Sequence, residues 1–272
     1  MKALSLGKKV PALVVGVAVG AIVVTGAISY VKTSEQLEEE AHARLSSVDK
    51  TRTQALERYL EGIEADLTSQ AQSPAVANAL RDFAAAYEQF DKPTERLQEL
   101  YIDDNPHPKG EKDKLRKADS GSVYDEIHAQ YHPWMRRFQK DKGYYDIFLL
   151  DPEGDLVYTE FKESDYATNL AEGRWADSGL GRVFRKARAN PEAETVVFDD
   201  FHAYGPSGGD AASFIAKPVL DESGELLGVL AYQMPIDRLN AVMQQTAGLG
   251  ETGQSYLVGA DKRMRTDSRF SG

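Results

Sequence analysis

Cysteine is absent from this 272-residue chain. Without a thiol, the chain forms no disulfide and offers neither a thiolate nucleophile nor cysteine ligands for zinc. Positive charge is also scarce, because 32 Lys and Arg stand against 43 Asp and Glu, a formal net charge of -11. A nucleic-acid partner requires a basic face for its phosphates. We therefore expect no nucleic-acid binding, and we interpret the acidic surface as a source of solubility.

Arrangements of catalytic residues are equally sparse. No Gly-x-Ser-x-Gly motif occurs, so the nucleophile of an α/β-hydrolase is missing. The adjacent pairs Asp103-Asp104 and Asp199-Asp200 would point to opposite faces of a strand. His128 and His132 have a spacing that suits a metal on a helix, but a third ligand and the glutamate of a hydrolase motif are lacking. We expect no metal, no cofactor and no enzyme; an exported enzyme on a membrane tether is the disfavoured alternative.

One long apolar run is present near the start of the chain. Val10–Val31 contains 22 residues without a charged side chain, and a helix of that length spans about 33 Å, enough to cross a bilayer. A cleaved signal peptide, with Ala27 and Ser29 as a weak cleavage site, is the alternative, but such peptides have apolar regions of only about 7–15 residues. Lysines before the run and glutamates after it predict a cytoplasmic N-terminus and an external remainder. These residues are Lys2, Lys8, Lys9, Glu35, Glu38, Glu39 and Glu40.

A long helical stretch, Ser34–Phe90, follows the apolar run. Its apolar residues recur at three-, four- and sevenfold spacing, which is typical of an amphipathic helix. Proline at Ser73-Pro74 should interrupt this helix, and Ala75–Phe90 should resume it. We expect the lower part to pack against a twin helix and the upper part to lie along a sheet; an ordinary core helix is the alternative. The apolar stripe consists of Leu45, Val48, Ala55, Tyr59, Ile63, Leu67 and Ala71.

Two segments lead from this helix to the predicted sheet. Asp103–Ser122 is polar and rich in turn-forming residues, so we expect a surface loop. Val123–Lys140 has the apolar periodicity of a helix and carries both histidines. The sequence therefore predicts a loop and a helix before the first strand.

An antiparallel sheet of five strands is predicted in the second half of the chain. Two β-prone runs flank the turn Asp151–Gly154, where proline fixes one φ and glycine accepts a positive one. Two more β-prone runs flank the turn Asp221–Gly224, and Thr195–Phe198 supplies a short fifth strand. A helix is predicted at Ser178–Ala189, between the first hairpin and this short strand. The pattern favours an α+β fold with a PAS-like, cup-shaped sheet. The flanking runs are residues 145–150, 155–161, 213–220 and 226–234.

The same stretch contains the candidate ligand-binding residues. Lys162 and Asp165 form a potential pair of counter-charges for a zwitterion, in an insertion that would form a lid over the sheet. Aromatic residues gather around them, as in a concave, mostly apolar pocket. A plain sheet core with a surface salt bridge is the alternative interpretation. The aromatic candidates are Phe148, Tyr158, Trp175, Phe201, Tyr204, Phe214 and Tyr232.

The C-terminal residues repeat the pattern of the first predicted hairpin, in which two strands flank an acidic turn. Pro235–Thr246 is a predicted short helix, followed by a strand at Ser255–Val258, a turn at Asp261 and a second strand from Met264. A lone hairpin is marginally stable. We therefore expect the start of a second, truncated PAS-like module and interpret the chain as a fragment.

Several stretches resemble a known family. Anchor, long helix, sheet module and the start of a second module follow one another as in the double Cache sensor domains of bacterial transmembrane receptors. Within that group the chain is most similar to methyl-accepting chemotaxis proteins. The stretches that carry the resemblance are Tyr101–Lys112, Tyr131–Trp134, Gly143–Asp151, Val157–Asp165, Thr168–Leu170 and Gly250–Gly259.

The resemblance implies a periplasmic receptor ectodomain that binds a small solute in its membrane-distal module. It further implies a single span in the bacterial inner membrane, a homodimer through the long helix, and cytoplasmic signalling partners reached only through segments absent from this sequence. Amino-acid-sensing members have an Arg-x-Trp-Tyr core, which neither Trp134–Arg137 nor Gly173–Ala176 reproduces. The alternatives are the sensor of a histidine kinase or cyclase, or a spacer ectodomain for which a partner binding protein senses the ligand.

The expected domain organisation has five parts. It comprises a cytoplasmic N-terminus (1–9), a transmembrane helix (10–31), a helical stalk (32–100), a membrane-distal Cache module (101–235), and a connecting helix with the beginning of a membrane-proximal module (236–272).

Overall fold

The computed structural model describes residues 6–270. Lys2 and most of the predicted segment 1–9 lie outside the described residues, as do residues 271–272 of the last predicted part. The chain forms two compact units. One extends to Gln54 and includes Thr246–Gln254; the other comprises Ala55–Gln245 and the residues from Ser255 onward.

The first helix, α1, spans Leu6–Ala71. Its N-terminal part is long and apolar enough to cross a membrane, with a mean hydropathy of 2.4 over its most apolar window, none of which is buried in the structure. The predicted membrane span and the first part of the predicted stalk, to Ala71, thus belong to one helix. Farther along α1, Ile63, Leu67 and Ala71 are buried against the rest of the second unit, which confirms that the upper stripe packs on the protein's own core.

The predicted interruption at Ser73-Pro74 is confirmed. α1 ends at Ala71, and α2 spans Pro74–Tyr87 with Pro74 in its first turn, where the missing amide hydrogen costs no helical bond. The Ser73 hydroxyl caps the new helix by accepting from the amide of Ala75, 3.2 Å away. The chain therefore turns here and lays α2 on the sheet.

The segment before α4 contains more regular structure than its composition predicts. A short helix, α3, spans Pro93–Gln98, followed by a π-helical turn at Glu99–Asp103 and a 3₁₀ turn at Lys112–Lys114. The prediction of a plain surface loop for Asp103–Ser122 is wrong in one respect, because Asp113 is buried. Two cations of α4 neutralise this carboxylate, and they are Arg136 and Lys140, each 2.8 Å away.

Helix α4 spans Val123–Lys142, two residues beyond its predicted end. The Ser122 side chain caps its N-terminus by accepting from the Asp125 amide. Gly143 ends it with a φ of 74°, a left-handed conformation that glycine adopts without strain. The buried side of α4 carries His128, His132 and Met135 toward the sheet.

Five antiparallel strands form one sheet in the order β2-β1-β5-β4-β3, as the sequence predicts in number and direction. A helix, α5, interrupts the strand series at Gly179–Ala189, after an N-cap at Ser178. The strands span Asp146–Leu150 (β1), Leu156–Thr159 (β2), Val197–Ala203 (β3), Ala211–Leu220 (β4) and Leu226–Met234 (β5).

The prediction of a short strand at Thr195–Phe198 is wrong in its bounds. β3 continues to Ala203 through two aspartates, and the pairing with β4 shifts register between Asp199 and His202. Each carboxylate has its own arginine partner, which compensates the charge: Asp199 pairs with Arg182 of α5, and Asp200 with Arg265.

The sheet separates two apolar cores. α1, α2 and α4 cover one face, called the helical face, and α5 covers the other, called the α5 face. Strand alternation assigns the residues as expected, since Leu149 and Tyr158 belong to the helical face and Phe148 and Leu150 to the α5 face. The sheet is therefore buried on both sides.

The C-terminal residues form less sheet than predicted. α6 spans Ile236–Met243, shorter than the predicted Pro235–Thr246. Among the described residues after α6, the predicted strand pair is reduced to a single bridge between Val258 and Met264. A two-stranded pairing without further strands gains few ladder hydrogen bonds, which accounts for its short extent.

Gly228 on β5 gives a test of how closely the strands are packed. Its φ is 149°, and a Cβ there would overlap the carbonyl oxygen of Leu150 on β1. We expect Gly228→Ala to lower the free energy of unfolding by on the order of 3 kcal/mol, because backbone strain and overlap add.

The control is Gly208→Ala, at a φ of 74° with no atom near the added Cβ, where about 1 kcal/mol of backbone strain is expected alone. Urea unfolding of the full chain in detergent, followed by the fluorescence of its two tryptophans, measures both values. Equal losses for the two variants would contradict the close approach.

Candidate ligand-binding site

The nine residues predicted to bind a ligand do not line one pocket. Phe148, Tyr204 and Phe214 lie in the α5-face core, whereas Tyr158 and Tyr232 lie in the helical-face core. Phe201 belongs to a third cluster with Leu56, Leu239 and Met243. Trp175 is half-buried and donates to the carbonyl oxygen of Ser164, 3.2 Å away. The two predicted counter-charges, Lys162 and Asp165, lie in the loop after β2 and are both buried.

Lys162 is held by backbone oxygens and aromatic rings. Its Nζ donates to the carbonyl oxygens of Thr159 and Glu160, at 3.0 and 3.2 Å. Its φ of 60° is uncommon for a residue with a side chain, and such strain is concentrated at functional sites. Three tyrosine rings lie within 6.0 Å of the Nζ, and they belong to Tyr101, Tyr158 and Tyr166. Among the described residues, no carboxylate forms an ion pair with this ammonium within 4.0 Å.

Glu160 follows β2 directly and precedes Lys162 by two residues. Its side chain is fully buried, and neither carboxylate oxygen accepts a hydrogen bond from a described residue. The nearest cation is Arg136, whose Nε is 4.0 Å from Oε1. Burial raises the pKa of Glu160, while the positive charge of Lys162 lowers it. Burial in turn lowers the pKa of Lys162, and Glu160 raises it.

The two histidines of α4 complete this group, called the Lys162 cluster: Tyr101, His128, His132, Tyr158, Glu160 and Lys162. The His128 and His132 rings stack with centroids 4.4 Å apart. His132 uses both nitrogens, since Nε2 lies 2.7 Å from the carbonyl oxygen of Asp113 and Nδ1 lies 2.8 Å from the Tyr158 hydroxyl. His128 uses only Nδ1, 2.7 Å from the carbonyl oxygen of Arg116. Burial and the nearby Lys162 ammonium lower the pKa of both rings, which keeps them neutral.

The histidines therefore serve hydrogen bonding in this structure. Within residues 6–270, no group of three metal-ligating side chains is assembled. Their positions on the buried side of α4 bring them to the sheet, where they contact Tyr158.

Asp165 is separate from the Lys162 cluster. The Tyr204 hydroxyl donates to its Oδ2, and its Oδ1 has no partner among the described residues. Burial raises the pKa of Asp165 to about 7, although the hydrogen bond from Tyr204 opposes the increase and Glu163 adds to it. Lys162 and Asp165 are thus near each other in sequence but form no ion pair, and Glu160 is the carboxylate that raises the pKa of Lys162 most.

A cavity of about 440 Å³ opens beside Lys162. Its volume lies in the range of small-molecule sites, about 300–1,000 Å³. Loops supply most of its wall, including Gly205, whose position leaves room for the Trp175 ring. The lining residues are Gln98, Ile102, Asp103, Lys109, Gly110, Lys112, Phe161, Lys162, Glu163, Ser164, Gly205, Pro206 and Gly208.

Sequence reasoning missed several members of the Lys162 cluster. Alternation along the predicted strand at 155–161 puts Glu160 on the side of Tyr158, so the sequence contained a signal for it. Tyr101 had no such signal, because it reaches the cluster through a π-helical turn that composition does not reveal. The arrangement provides one buried cation, one buried carboxylate and aromatic walls, a chemistry suited to holding a small polar molecule.

The raised pKa of Asp165 predicts a pH-dependent stability. Its pKa is about 7 in the folded chain and about 3.9 in an unfolded one. The folded state therefore holds the extra proton, and the stabilisation is complete below about pH 4 and lost as the pH rises through about 7. Asp165→Asn has no carboxyl group to titrate, so its free energy of unfolding lacks this decrease. Between about pH 4 and about pH 8, the free energy of unfolding of the wild type should therefore fall relative to that of Asp165→Asn by about 3 kcal/mol.

Urea unfolding of both proteins across this pH range checks the result. Asp210→Asn, at an exposed carboxylate of the β3–β4 connection, is the matched control and should run parallel to the wild type. Parallel profiles for Asp165→Asn and the wild type would contradict the buried, proton-holding carboxylate.

Comparison with known proteins identifies the family. The model of the family described as Cache domain matches residues 32–265. No curated protein matches the chain. Solved structures with a similar fold include the ligand-binding domain of the Pseudomonas aeruginosa PAO1 amino acid chemoreceptor PctC in complex with GABA, at 12% identity and a TM-score of 0.46, covering 82% of this chain and 73% of that one.

Two further solved structures are similar to this chain. The V. cholerae histidine kinase DctB sensor domain is 15% identical with a TM-score of 0.35, covering 76% of this chain and 60% of that one. The sensory domain of the Campylobacter jejuni chemoreceptor Tlp3 with isoleucine bound is 11% identical with a TM-score of 0.37, covering 77% and 72%. Since the family model spans most of its length, the chain belongs to the Cache domain family.

Proposed function

We propose that this chain is the ligand-sensing part of a bacterial transmembrane chemoreceptor, which binds a small polar solute beside Lys162 and passes a conformational change to α1. The observation that carries the proposal is the Lys162 cluster. It buries an ammonium without an ion-pair partner and a carboxylate without a hydrogen bond among the described residues. The cavity beside Lys162 gives a solute access to one edge of this cluster.

Buried charges of this kind are costly. An unpartnered buried polar group costs about 1–3 kcal/mol, and a charged one more. A fold selected only for stability would replace such groups or pair them. A solute that offers the missing hydrogen bonds removes part of this cost, which makes binding favourable. Asp165, with one unpartnered oxygen, is a second polar contact in the proposal, and its other oxygen accepts from Tyr204.

The proposed location is the bacterial inner membrane, with the Cache module in the periplasm. Support comes from the apolar part of α1 and from the lysines that precede it in the sequence, since positive charge marks the cytoplasmic side. The absence of cysteine is compatible with that compartment. This arrangement places the solute site outside the cell and leaves α1 to cross the bilayer.

The proposed signal path starts from contacts between α1 and the sheet module. Asp66 of α1 accepts from Lys142 Nζ at 2.7 Å and from the Tyr144 hydroxyl at 2.9 Å. The Tyr144 ring stacks on Tyr232 of β5 at 4.5 Å. A solute that binds two arrangements of the module with different affinity shifts the equilibrium between them. These contacts connect such a shift to the helix that contains the membrane span.

The same sensor can drive a histidine kinase or a cyclase, and a spacer ectodomain would bind a partner protein instead of a solute. We propose the chemoreceptor on the stretches that resemble methyl-accepting chemotaxis proteins. The solute test below separates direct sensing from the spacer, because a spacer binds no solute.

Direct binding predicts that a solute stabilises the chain through Lys162. Screening the full chain in nanodiscs against a metabolite panel should reveal a solute that raises the free energy of unfolding by about 2–4 kcal/mol near saturation. Lys162→Met keeps the length of the side chain but removes its charge, so this increase should be lost. Lys186→Met, at an exposed position on α5, is the matched control and should retain it.

Thermal unfolding and calorimetry measure these effects. A folded wild type that responds to no solute class would refute direct sensing and favour the spacer. A response that survives Lys162→Met unchanged would move the binding site away from Lys162.

The proposed homodimer predicts a specific cross-link. Leu45 of the α1 stripe is 52% exposed, so this position is available to the α1 of a second copy. The wild-type chain has no cysteine, hence a single introduced cysteine reports on one position. Leu45→Cys should form a disulfide-linked dimer on mild oxidation in membranes.

Ser47→Cys is the control, because two residues along a helix rotate the side chain by about 200°. Non-reducing electrophoresis should show a faster and more complete cross-link at 45 than at 47. Equal cross-linking at both positions would argue against a packed helix pair.

A further inference from the structure

We infer that the chain carries a second ligand site, a groove that binds a small dianionic oxyanion of the phosphate or sulfate class. The groove has a volume of about 310 Å³ and lies where α1, the end of α4 and the first turn of α6 meet. It shares no lining residue with the cavity beside Lys162. We call it the Arg238 groove, and its lining includes Arg58, Gly62, Asp66, Lys142 and Arg238.

The Arg238 groove collects positive charge in a chain whose formal net charge is -11. Each of the three helices contributes one cation to its lining: Arg58 from α1, Lys142 from α4 and Arg238 from α6. Asp66 is the one carboxylate among these lining residues. Like charges that converge on one groove raise the free energy of the module, and a bound anion lowers it.

Asp66 is already engaged. Its Oδ1 accepts from Lys142 Nζ at 2.7 Å, and its Oδ2 accepts from the Tyr144 hydroxyl at 2.9 Å. Among the described residues, no carboxylate forms an ion pair with Arg58 or Arg238 within 4.0 Å. Both arginines are exposed, so an anion can reach them from solvent. A dianion matches the two charges that Asp66 leaves uncompensated.

The position of Arg238 depends on a glycine. Gly143 ends α4, and a Cβ there would lie 3.4 Å from Nη2 and 3.7 Å from Nε of Arg238. The guanidinium therefore lies against the backbone at the end of α4. Burial raises the pKa of Tyr59 on α1, and the charge of Arg238 opposes this increase, so the guanidinium is near α1 as well. A planar guanidinium offers paired N–H donors that match two oxygens of one phosphate or sulfate.

Gly62 keeps the groove open on the side of α1. Residues four apart lie on one side of a helix, so Arg58, Gly62 and Asp66 form one stripe along the groove. A Cβ at Gly62 would meet no atom within 4 Å, so close packing does not require glycine there. Glycine inside a helix is nevertheless less favourable than alanine. The open groove accounts for its presence, because a larger side chain would occupy the space beside Arg58.

The size and place of the groove define its role. Its volume is at the lower limit of small-molecule sites, which begin at about 300 Å³, so it suits a compact anion. An oxyanion that contacts both Arg58 and Arg238 would link α1 to α6. The chain would then receive an input that does not depend on the solute site beside Lys162.

Titration calorimetry of inorganic phosphate into the full chain tests the groove. A nonionic detergent replaces lipid, so that no lipid phosphate competes, and sodium chloride keeps the ionic strength constant. We expect one phosphate per chain, and Arg238→Gln should weaken its affinity roughly 10-fold or more, the loss of a charge-assisted hydrogen bond. Arg188→Gln removes a positive charge from an exposed position on α5 and, as the matched control, should bind like the wild type.

Three results would overturn the inference. The first is a folded wild-type chain that binds neither phosphate nor sulfate. The second is equal weakening in Arg238→Gln and Arg188→Gln, because binding would then follow overall charge rather than the groove. The third is loss of phosphate binding in Lys162→Met with Arg238→Gln unaffected, which would place the anion in the other cavity. We expect Lys162→Met to retain phosphate binding.

Gly62→Leu tests the location of the site without changing a charge. Leucine is a better helix former than glycine, and no atom obstructs its Cβ, so the variant should fold at least as stably as the wild type. Its side chain should fill the groove and abolish measurable phosphate binding. Circular dichroism checks the fold of the variant. Folded Gly62→Leu that binds phosphate like the wild type would overturn the inference.

Discussion

Burial of the Lys162 ammonium is the constraint on which the site depends. Its side chain is 2% exposed and reaches carbonyl oxygens of its own loop rather than a carboxylate. Desolvating a charge without a counter-ion is expensive, so the surrounding structure must hold the loop in place. The positive φ of Lys162 and of Ala167 shows that the loop adopts a conformation that local preference alone would not select.

Helices α2 and α3 supply the necessary restraint. The Tyr87 hydroxyl and the Thr94 hydroxyl both donate to the carbonyl oxygen of Ala167, and Gln98 donates to the carbonyl oxygen of Tyr166. The loop thus owes its shape to elements that lie far away in sequence. Of these two elements, α2 also packs on α4 and the sheet, so it connects the loop to the helical face.

The helices and strands were largely predictable because their signals are local. Apolar periodicity, the proline after Ser73 and the glycine turns determine where elements begin and end, and these match α2, α4 and the four long predicted runs. A helix long and apolar enough to cross a membrane can be recognised from length and composition alone. β3 was harder, because two aspartates interrupt its apolar pattern, and only tertiary partners in α5 and at Arg265 compensate for them.

The candidate site was less predictable, for a physical reason. Aromatic residues such as Phe148 and Phe214 indicate a core as readily as a pocket, and the alternation of the strands assigns them to the α5 face, away from Lys162. Proximity in sequence favoured Asp165 as the partner of Lys162, but the tight turn after β2 sends that carboxylate to Tyr204 instead. Two histidines at helical spacing indicate a metal site or residues without a special role. Their hydrogen bonds to backbone oxygens depend on the packing of α4 against the loop before it, which the sequence pattern does not reveal.

An incompletely satisfied site is what a sensor requires. If every polar atom in the Lys162 cluster had a protein partner, a solute would have to replace existing hydrogen bonds and would gain little free energy. Atoms without partners among the described residues, such as those of Glu160, each destabilise the module by about 1–3 kcal/mol, while the apolar burial of the helical face keeps the module folded. In the proposed sensor, a solute that supplies those hydrogen bonds would recover part of this free energy at the loop held by α2 and α3. Asp66, Tyr144 and Tyr232 connect the same core to the C-terminal part of α1, which is the route that the proposed signal would take.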